Sequence, residues 1–367
     1  MNRSEALSQL LALGGPKTDN FTNGIFGLGM NDVDTAEQLL VNTKLLRTKG
    51  YVGDNYLRVA QEWSDSLKAP ATPAPVPSAS VPQLYAAGNQ ALDRGHVKLG
   101  STPQAVWVNG WGDIDRAKDV AAKAKAAGQV PQFVAYFIPN RDNGQASAGG
   151  ASSSEDYRNW GRALADAVLG TNAIVDLEPD ALTLYNGTPS SRYEDLGYVG
   201  RLLLNAGCKV FLSAGHSAWL SAEDIISRSN KVGFVNFTGY SLNDSNCQPL
   251  ENEVALGERL WAMTNKAYVV DTSRAGAGTA PLLKAGMVVN GNKIADYEEW
   301  QNQPNRTFGP LPTLQPTKGP HCYAYLFIKH VGEADGNWNP YKRDWSAPNA
   351  GLWFDDYASE VERNSGW

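Results

Sequence analysis

The sequence predicts an α/β protein, a seven-stranded parallel β/α barrel of the TIM type preceded by a small helical N-terminal module. From Ala105 onward, short apolar runs alternate with amphipathic segments, which is the signature of repeated β/α units around a parallel sheet. All seven runs end in polar groups, and barrels of this type assemble their active sites at the C-terminal strand ends. The length agrees: 367 residues suit one large domain plus a small one, because domains run to roughly 100 to 200 residues and barrels to about 250.

Residues 1–69 form the small helical module, with helical apolar spacing in Thr35–Gly50 and Asn55–Lys68 and no cluster of candidate catalytic side chains. A Pro/Ala/Ser-rich stretch, Pro70 to Pro82, comes next; proline fixes φ and removes backbone donors, so residues 70–83 are expected to be an extended, semi-rigid linker. Residues 84–367 are left for the barrel. Its strands are expected in AVWVNGW from Ala105, QFVAYFIP from Gln132, AIVDLEP from Ala173, KVFLSAG from Lys209, FVNFTGY from Phe234, AYVVDTS from Ala267 and YAYLFIKHV from Tyr323. Between them, Asp113–Gly128 reads as a helix with a C-terminal glycine stop and Ser221–Ser227 as one with a capping serine. The segment from Gly276 to Pro320 reads as a long loop.

A net charge of -6 leaves no electrostatic footprint for nucleic acid or an anionic membrane surface, which favours a neutral partner. No apolar run reaches membrane-spanning length, and the N-terminus, with Ser8 and Gln9 breaking its apolar stretch, is a weak signal peptide. Cys208, Cys247 and Cys322 are too few and too scattered for a disulfide framework, and their spacing suggests no zinc site. Neither a metal nor a cofactor is expected. The eleven Trp and fifteen Tyr partly fill the core, but flat rings also present apolar faces to sugar C–H groups.

Polar groups gather where the strands stop: Asn109, Arg141 with Asp142, Glu178 with Asp180, Ser213 with His216, Asn236, Asp271 with Arg274, and Lys329 with Glu333 and Asp335. Two carboxylates at different strand ends can supply what glycosidic cleavage with inversion needs, an acid for the leaving oxygen and a base for water on the opposite sugar face. The acid must have its pKa raised by burial or by a neighbouring carboxylate. Asp142 and Glu178 are the candidate neighbours of Asp180; alternatively Asp180 merely caps the helix after Pro179.

YFIPNRD and IVDLEPDAL resemble the two signatures of glycoside hydrolase family 6, the cellobiohydrolase II and endoglucanase family. AGHSAWL (Ala214–Leu220), VDTSRAG (Val270–Gly276) and IKHVGEADG (Ile328–Gly336) are similar to three further motifs of that family, in the same order. The likeness spans about Ala105–Gly336 and continues more weakly to Val361. It implies a distorted barrel and an inverting β-1,4-glucanase of polysaccharide degradation. Asp180 would be the acid, Asp142 would raise its pKa and order water, and Asp335 would be the candidate base. The resemblance further implies substrate contacts from Trp107, Tyr136, Arg141, Ser147, His216, Trp219, Asn236, Trp300, Lys329 and Glu333. Packing inside the barrel is the competing role for Trp107 and Tyr136.

The chain departs from the family pattern at Ser213, which stands where Asp usually precedes AGH, at Asn140, and at Asn143, Gln301 and Ala334, which replace cysteines. Only Asn337–Asn349 separate the GEADG motif from the terminal helix pattern, which favours an open groove and internal cleavage. Two other readings stand beside this one: a non-catalytic glycan-binding protein on a hydrolase scaffold, and a virion-associated depolymerase of a host envelope polysaccharide whose N-terminal module docks to a larger assembly. In each case the partner is a polysaccharide or oligosaccharide, met outside the cell.

Overall fold

The computed structural model describes residues 1–367 except 14–15, 27–29, 68–81, 185–189, 277, 279, 290, 296–298 and 340–346. The expected linker, apart from its last residues, therefore lies outside the described residues.

The N-terminal helices are α1 (Arg3–Leu13), α2 (Pro16–Phe26), α3 (Asp32–Thr48) and α4 (Asp54–Leu67). Asn31 starts α3 by accepting the Asp34 amide at 2.9 Å, which satisfies one of the free donors of the first turn. The four helices share a core around the fully buried Trp63, whose ring stacks on Phe26 at 5.0 Å. The module also packs on the barrel. Val41 and Leu45 of α3 join the main barrel core, Gln38 bonds Asn230 and the Phe234 amide, and Glu37 pairs with Lys266 at 2.8 Å.

Next come the short α5 (Gln90–Asp93) and α6 (Val97–Ser101), and then the barrel proper. Its strands are β1 (Val106–Val108), β2 (Gln132–Ala135), β3 (Ile174–Leu177), β4 (Lys209–Ser213), β5 (Gly239–Leu242), β6 (Ala267–Asp271) and β9 (Cys322–Leu326), paired in that order and all parallel. A small hairpin, β7 (Val288–Val289) with β8 (Asn292–Lys293), lies in the long segment before β9. The helices around the sheet are α7 (Ile114–Ala126), α8 (Ser154–Ala167), α9 (Ser190–Asn205), α10 (Ala222–Val232), α11 (Leu250–Thr264) and the terminal α12 (Asp355–Asn364). Ser153 and Ser221 cap α8 and α10. The sheet curls into a half-barrel: β1 and β9 form no ladder, and their edges meet through the Ala105 amide on the Phe327 carbonyl at 2.9 Å and Trp107 Nε1 on the Ile328 carbonyl at 2.8 Å.

Strand periodicity places the chemistry. Val106 and Val108, Phe133 and Ala135, Val175 and Leu177, Val210 and Leu212, and Tyr240 and Leu242 face the helices. Alternate residues point inward, so Trp107, Tyr136, Asp176, Ser213, Ser241 and Asp271 share the inner face. The fifth strand differs from expectation. Phe234–Asn236 is a 3-10 turn after α10, closed by Asn236 Nδ2 on the Val232 carbonyl at 2.7 Å, and the strand starts only at Gly239. The apolar run FVNF thus belongs to packing beneath the sheet, with Phe234 and Phe237 buried.

Candidate active site

A cleft of about 920 Å³ opens at the C-terminal strand ends, lined by residues from the loops after β1, β2, β3, β4, β5 and β9 and from the segment between β8 and β9. It gathers Asp142, Asp180 and Asp335 with Trp107, Tyr136, Arg141, Ser147, His216, Trp219, Trp300, Lys329 and Glu333. Asn236 is not among them. It sits at the opposite end of β5, between the Val232 carbonyl and Arg201 Nε (3.1 Å), because the strand starts after it rather than before it.

Asp180 follows β3 through Pro179. Its backbone is left-handed, φ 69°, and its carbonyl accepts the Thr183 and Leu184 amides at 3.0 and 2.9 Å. The next helix, α9, starts ten residues later, so Asp180 is no helix cap. Burial on the cleft floor pushes its carboxyl up to about 7, the charge of Asp142 adds to this, and the Tyr136 hydroxyl opposes it. Asp142 is left-handed too, φ 55°, as are Asn140 and Asn143 beside it. Its Oδ2 accepts the Ser147 amide at 2.6 Å, and Arg141 braces the loop through Nε on the Ser147 carbonyl at 2.8 Å and Nη1 on the Tyr136 carbonyl at 2.8 Å. Burial raises the Asp142 carboxyl, while the Ser147 amide and the Arg141 charge pull it back.

Glu178 is not a neighbour in this sense. Its carboxylate turns away from the cleft and accepts the Phe137 amide at 2.9 and 3.1 Å and the Ile138 amide at 3.1 Å, tying the end of β2 to β3. A left-handed glutamate, φ 54°, is uncommon; here it aims the carboxylate at those two donors.

Asp335 is fully buried and held by cations. Arg274 reaches it at 2.6 and 3.1 Å, Lys329 at 3.2 Å and the Asn302 amide at 2.8 Å. Burial alone would raise its pKa, but the Arg274 and Lys329 charges win and lower it, so Asp335 is an anion. His216 is lowered to about 4 by burial and is a neutral hydrogen-bonding group near pH 7. Its ring centroid lies 5.4 Å from that of Trp219, which is 38% exposed at the cleft wall. Trp107 stands edge-on to Tyr136 at 5.3 Å, and the Arg141 guanidinium lies 4.7 Å from the Tyr136 ring centroid. Tyr136 is nearly buried and so packs as well as lines, while Trp107 offers a half-buried face. Glu333 bonds His330 Nδ1 at 2.9 Å and Gln90 Nε2 at 2.7 Å.

One cleft residue escapes a motif reading. Asp244 lines the floor with Asp180 and accepts hydroxyl bonds from Ser213 and Ser241, both at 2.5 Å. In the sequence it stands in the turn-like NDSN, and the only pointer to it was the missing carboxylate at Ser213. Asp271, a strand-end candidate, serves structure: it accepts the Ser245, Ser273, Ile328 and Lys329 amides at 2.9 to 3.2 Å. Among the described residues no group of three or more His, Cys, Asp or Glu side chains could hold a metal ion, and no helix is long and apolar enough to cross a membrane. The three cysteines are free and buried.

Residues 73–365 match the family model "Glycosyl hydrolases family 6". Endoglucanase A of Cellulomonas fimi is 37% identical over 278 residues, covering 74% of this chain and 56% of that protein. Endoglucanase 1 of Streptomyces sp. (strain KSM-9) is 34% identical over 252 residues, covering 65% of this chain and 66% of that protein. The chain therefore spans about half to two thirds of the length of these curated relatives. Among solved structures, the endoglucanase Cel6 from Mycobacterium tuberculosis, in complex with a methyl-cellobiosyl-thio-cellobioside, superposes with a TM-score of 0.68 at 31% identity, covering 78% of this chain and 99% of that one. The catalytic core of the cellobiohydrolase Cel6A from Chaetomium thermophilum shares the fold, with a TM-score of 0.62 at 20% identity, covering 78% of this chain and 98% of that one.

Proposed function

Since the chain belongs to glycosyl hydrolases family 6, we propose that it cleaves internal β-1,4-glucosidic bonds of a cellulose-like polysaccharide with inversion at the anomeric carbon. The carrying observation is Asp180, a cleft carboxyl whose burial and whose neighbour Asp142 hold it near 7, so that it still carries a proton at the pH where an ordinary aspartate has lost it. It donates that proton to the glycosidic oxygen as the bond to the anomeric carbon breaks. Water adds to that carbon from the other face and loses its proton to a base. Asp335 is anionic and lines the cleft, which supports it as the acceptor. The Arg274 and Lys329 clamp lowers its proton affinity, so it takes the proton with less driving force than a free carboxylate would.

Trp107, Trp219 and Trp300 line the cleft and offer ring faces to successive sugars, while His216, Lys329 and Glu333 supply polar contacts. Internal cleavage is supported by the short stretch between Asp335 and α12 and by the endoglucanase names of the relatives above. Polymers of this kind lie outside the cytoplasm, which places the reaction there.

The test is Asp180→Asn on soluble β-glucan. Release of reducing ends is expected to fall by at least about a thousandfold, with cello-oligosaccharide binding retained, and NMR of the wild-type product is expected to show the α-anomer first. Full activity in Asp180→Asn, or a β-anomer product, would overturn the assignment. A wild-type chain that binds oligosaccharide yet releases no sugar would be a glycan-binding protein instead.

A further inference from the structure

One side chain joins the seam of the half-barrel to the cleft. The edges of β1 and β9 are held by the Ala105 amide, by Trp107 Nε1, and by a third bond, from His330 Nε2 to the Ala105 carbonyl at 2.6 Å. The other nitrogen of that buried ring, Nδ1, lies 2.9 Å from Glu333 Oε1. His330 and Glu333 close a tight turn: the Glu333 amide donates to the His330 carbonyl at 3.0 Å, and Gly332 between them has φ 101°. A Cβ on Gly332 would stand 2.6 Å from the Trp353 ring, so the turn is pressed against the segment before α12. A carbonyl only accepts, so Nε2 carries a proton. A carboxylate only accepts too, so Nδ1 also carries one and the ring is an imidazolium. A proton on Glu333 instead is opposed by Lys329, which together with His330 outweighs burial and holds that carboxyl below its ordinary range. Gln90 Nε2, from α5, donates to the same Oε1 at 2.7 Å. Both donors fall on Oε1; among the described residues Oε2 accepts none, and Glu333 lines the cleft.

We propose that His330 is a positioning residue of the cleft: Nδ1 holds Glu333 Oε1 so that Oε2 faces a sugar hydroxyl, while Nε2 ties the same ring to the barrel seam. The proposal rests on the reading of Glu333 as a sugar contact. Around the pair, α5 brings the neutral Gln90. The loop after β9 brings Lys329, whose Nζ is committed to Asp335 Oδ1 at 3.2 Å and the Ala334 carbonyl at 3.3 Å. The segment before α12 brings Trp353, whose indole N–H is given to Asp355 at 2.9 Å, and β1 brings only the Ala105 carbonyl. When Nδ1 gives up its proton, a lone pair faces the lone pairs of Oε1, and a donor becomes a repulsion. The carboxylate is then held by Gln90 alone and loses its aim. Sugar binding therefore weakens as pH rises through that step, whereas proton transfer to the glycosidic oxygen, carried by other residues, does not depend on it.

Two variants of the full chain separate the two bonds. Asparagine puts an amide nitrogen near the place of Nδ1, and glutamine puts one near the place of Nε2, so His330→Asn keeps a donor for Glu333 and His330→Gln keeps one for the seam. His330→Gln is expected to bind a thio-linked cellotetraoside, which resists cleavage, about tenfold more weakly than His330→Asn does. Its KM on soluble β-glucan is expected to rise by the same factor, with kcat within about threefold. His330→Asn is expected to have the lower thermal midpoint, because it leaves the Ala105 carbonyl without its donor. A histidine that only closed the seam would give the reverse order in binding. In the wild type, 15N NMR of the labelled histidines, with the His330 signals assigned by their loss in His330→Gln, is read beside Kd from about pH 5 to about pH 9. Kd is expected to rise as Nδ1 loses its proton, and His330→Asn is expected to lack that rise. Equal binding by the two variants, tighter binding by His330→Gln, or a wild-type Kd unmoved while Nδ1 loses its proton would overturn the proposal. Should His330→Asn not fold, the wild-type series decides alone. Should the chain bind the thio-sugar and release no sugar from any β-glucan, the hydrolase reading falls while Kd and the spectra still decide the role of His330.

Discussion

Asp142 and Asp180 face the cleft from different strand ends, and each is displaced from an ordinary aspartate mainly by burial, with charge as the second cause for Asp180. Removing the Asp142 charge by Asp142→Asn is expected to lower the Asp180 pKa, moving the alkaline limb of kcat to lower pH. About tenfold of the neutral-pH rate is lost for each unit moved, while KM stays within a few fold; a pH series of initial rates checks it. These two residues were legible because each ends a strand-like apolar run, and the family resemblance supplied their roles. Glu178 was legible as a strand-end acid but not in its direction: only the left-handed turn of its backbone shows that it serves the Phe137 and Ile138 amides. Asp244 was not legible, because an aspartate between Asn243 and Ser245 reads as turn chemistry, its bond from Ser241 three residues earlier fits that reading, and its other partner, Ser213, comes from the neighbouring strand.

At the scale of elements, six of the seven barrel strands lie where apolar runs put them, because a parallel strand buried on both faces must be apolar along its length. The fifth was displaced by a run that is equally apolar for another reason: Phe234 and Phe237 fill space below the sheet. α9 packs tightly against that turn. A Cβ on Gly200 would stand 2.3 Å from the Asn236 carbonyl oxygen, and one on Gly197 would stand 2.7 Å from the Val232 carbonyl oxygen. Backbone cannot step aside as a side chain can, so Gly200→Val must lift α9 from β3, where Leu177 packs under the same glycine. A destabilisation of about 1 to 3 kcal/mol or more is expected, read as a lower thermal midpoint by circular dichroism.

For the whole molecule, charge state and stability are linked with an unusual sign. Glu178, Asp180, Asp244 and Glu253 are each raised to about 7, by burial before any other cause. Between the unfolded carboxyl range near about 4 and 7, the native state therefore binds more protons than the unfolded chain. Their contribution is fully present below that range and is lost as pH rises through about 7. Glu333 and Asp335 are lowered despite their burial, by His330 and Lys329 in one case and by Arg274 and Lys329 in the other, and oppose this only in stronger acid. The thermal midpoint is expected to be higher at pH 5 than at pH 8; calorimetry at matched ionic strength checks it, and a midpoint rising toward pH 8 would contradict it. The sequence suggested a module apart from the barrel for residues 1–69, since helical periodicity shows that α3 has an apolar face but not what covers it. Through Val41, Leu45 and Gln38, that face is covered in part by the barrel.

The left-handed backbone at Asp142, Glu178 and Asp180 bears on how such a site can change over generations. Glycine relieves the conformational cost at these three places, yet glycine carries neither the Asp142 and Asp180 carboxyls on which the proposed chemistry depends nor the Glu178 carboxyl that holds the Phe137 and Ile138 amides. Drift toward easier folding and retention of activity therefore pull in opposite directions at the same codons, which leaves them little neutral room. Room for variation is wider next door, at positions such as Ser213 and Asp244 whose φ values are not left-handed. There a carboxyl can pass from one strand end to its neighbour without a change of backbone.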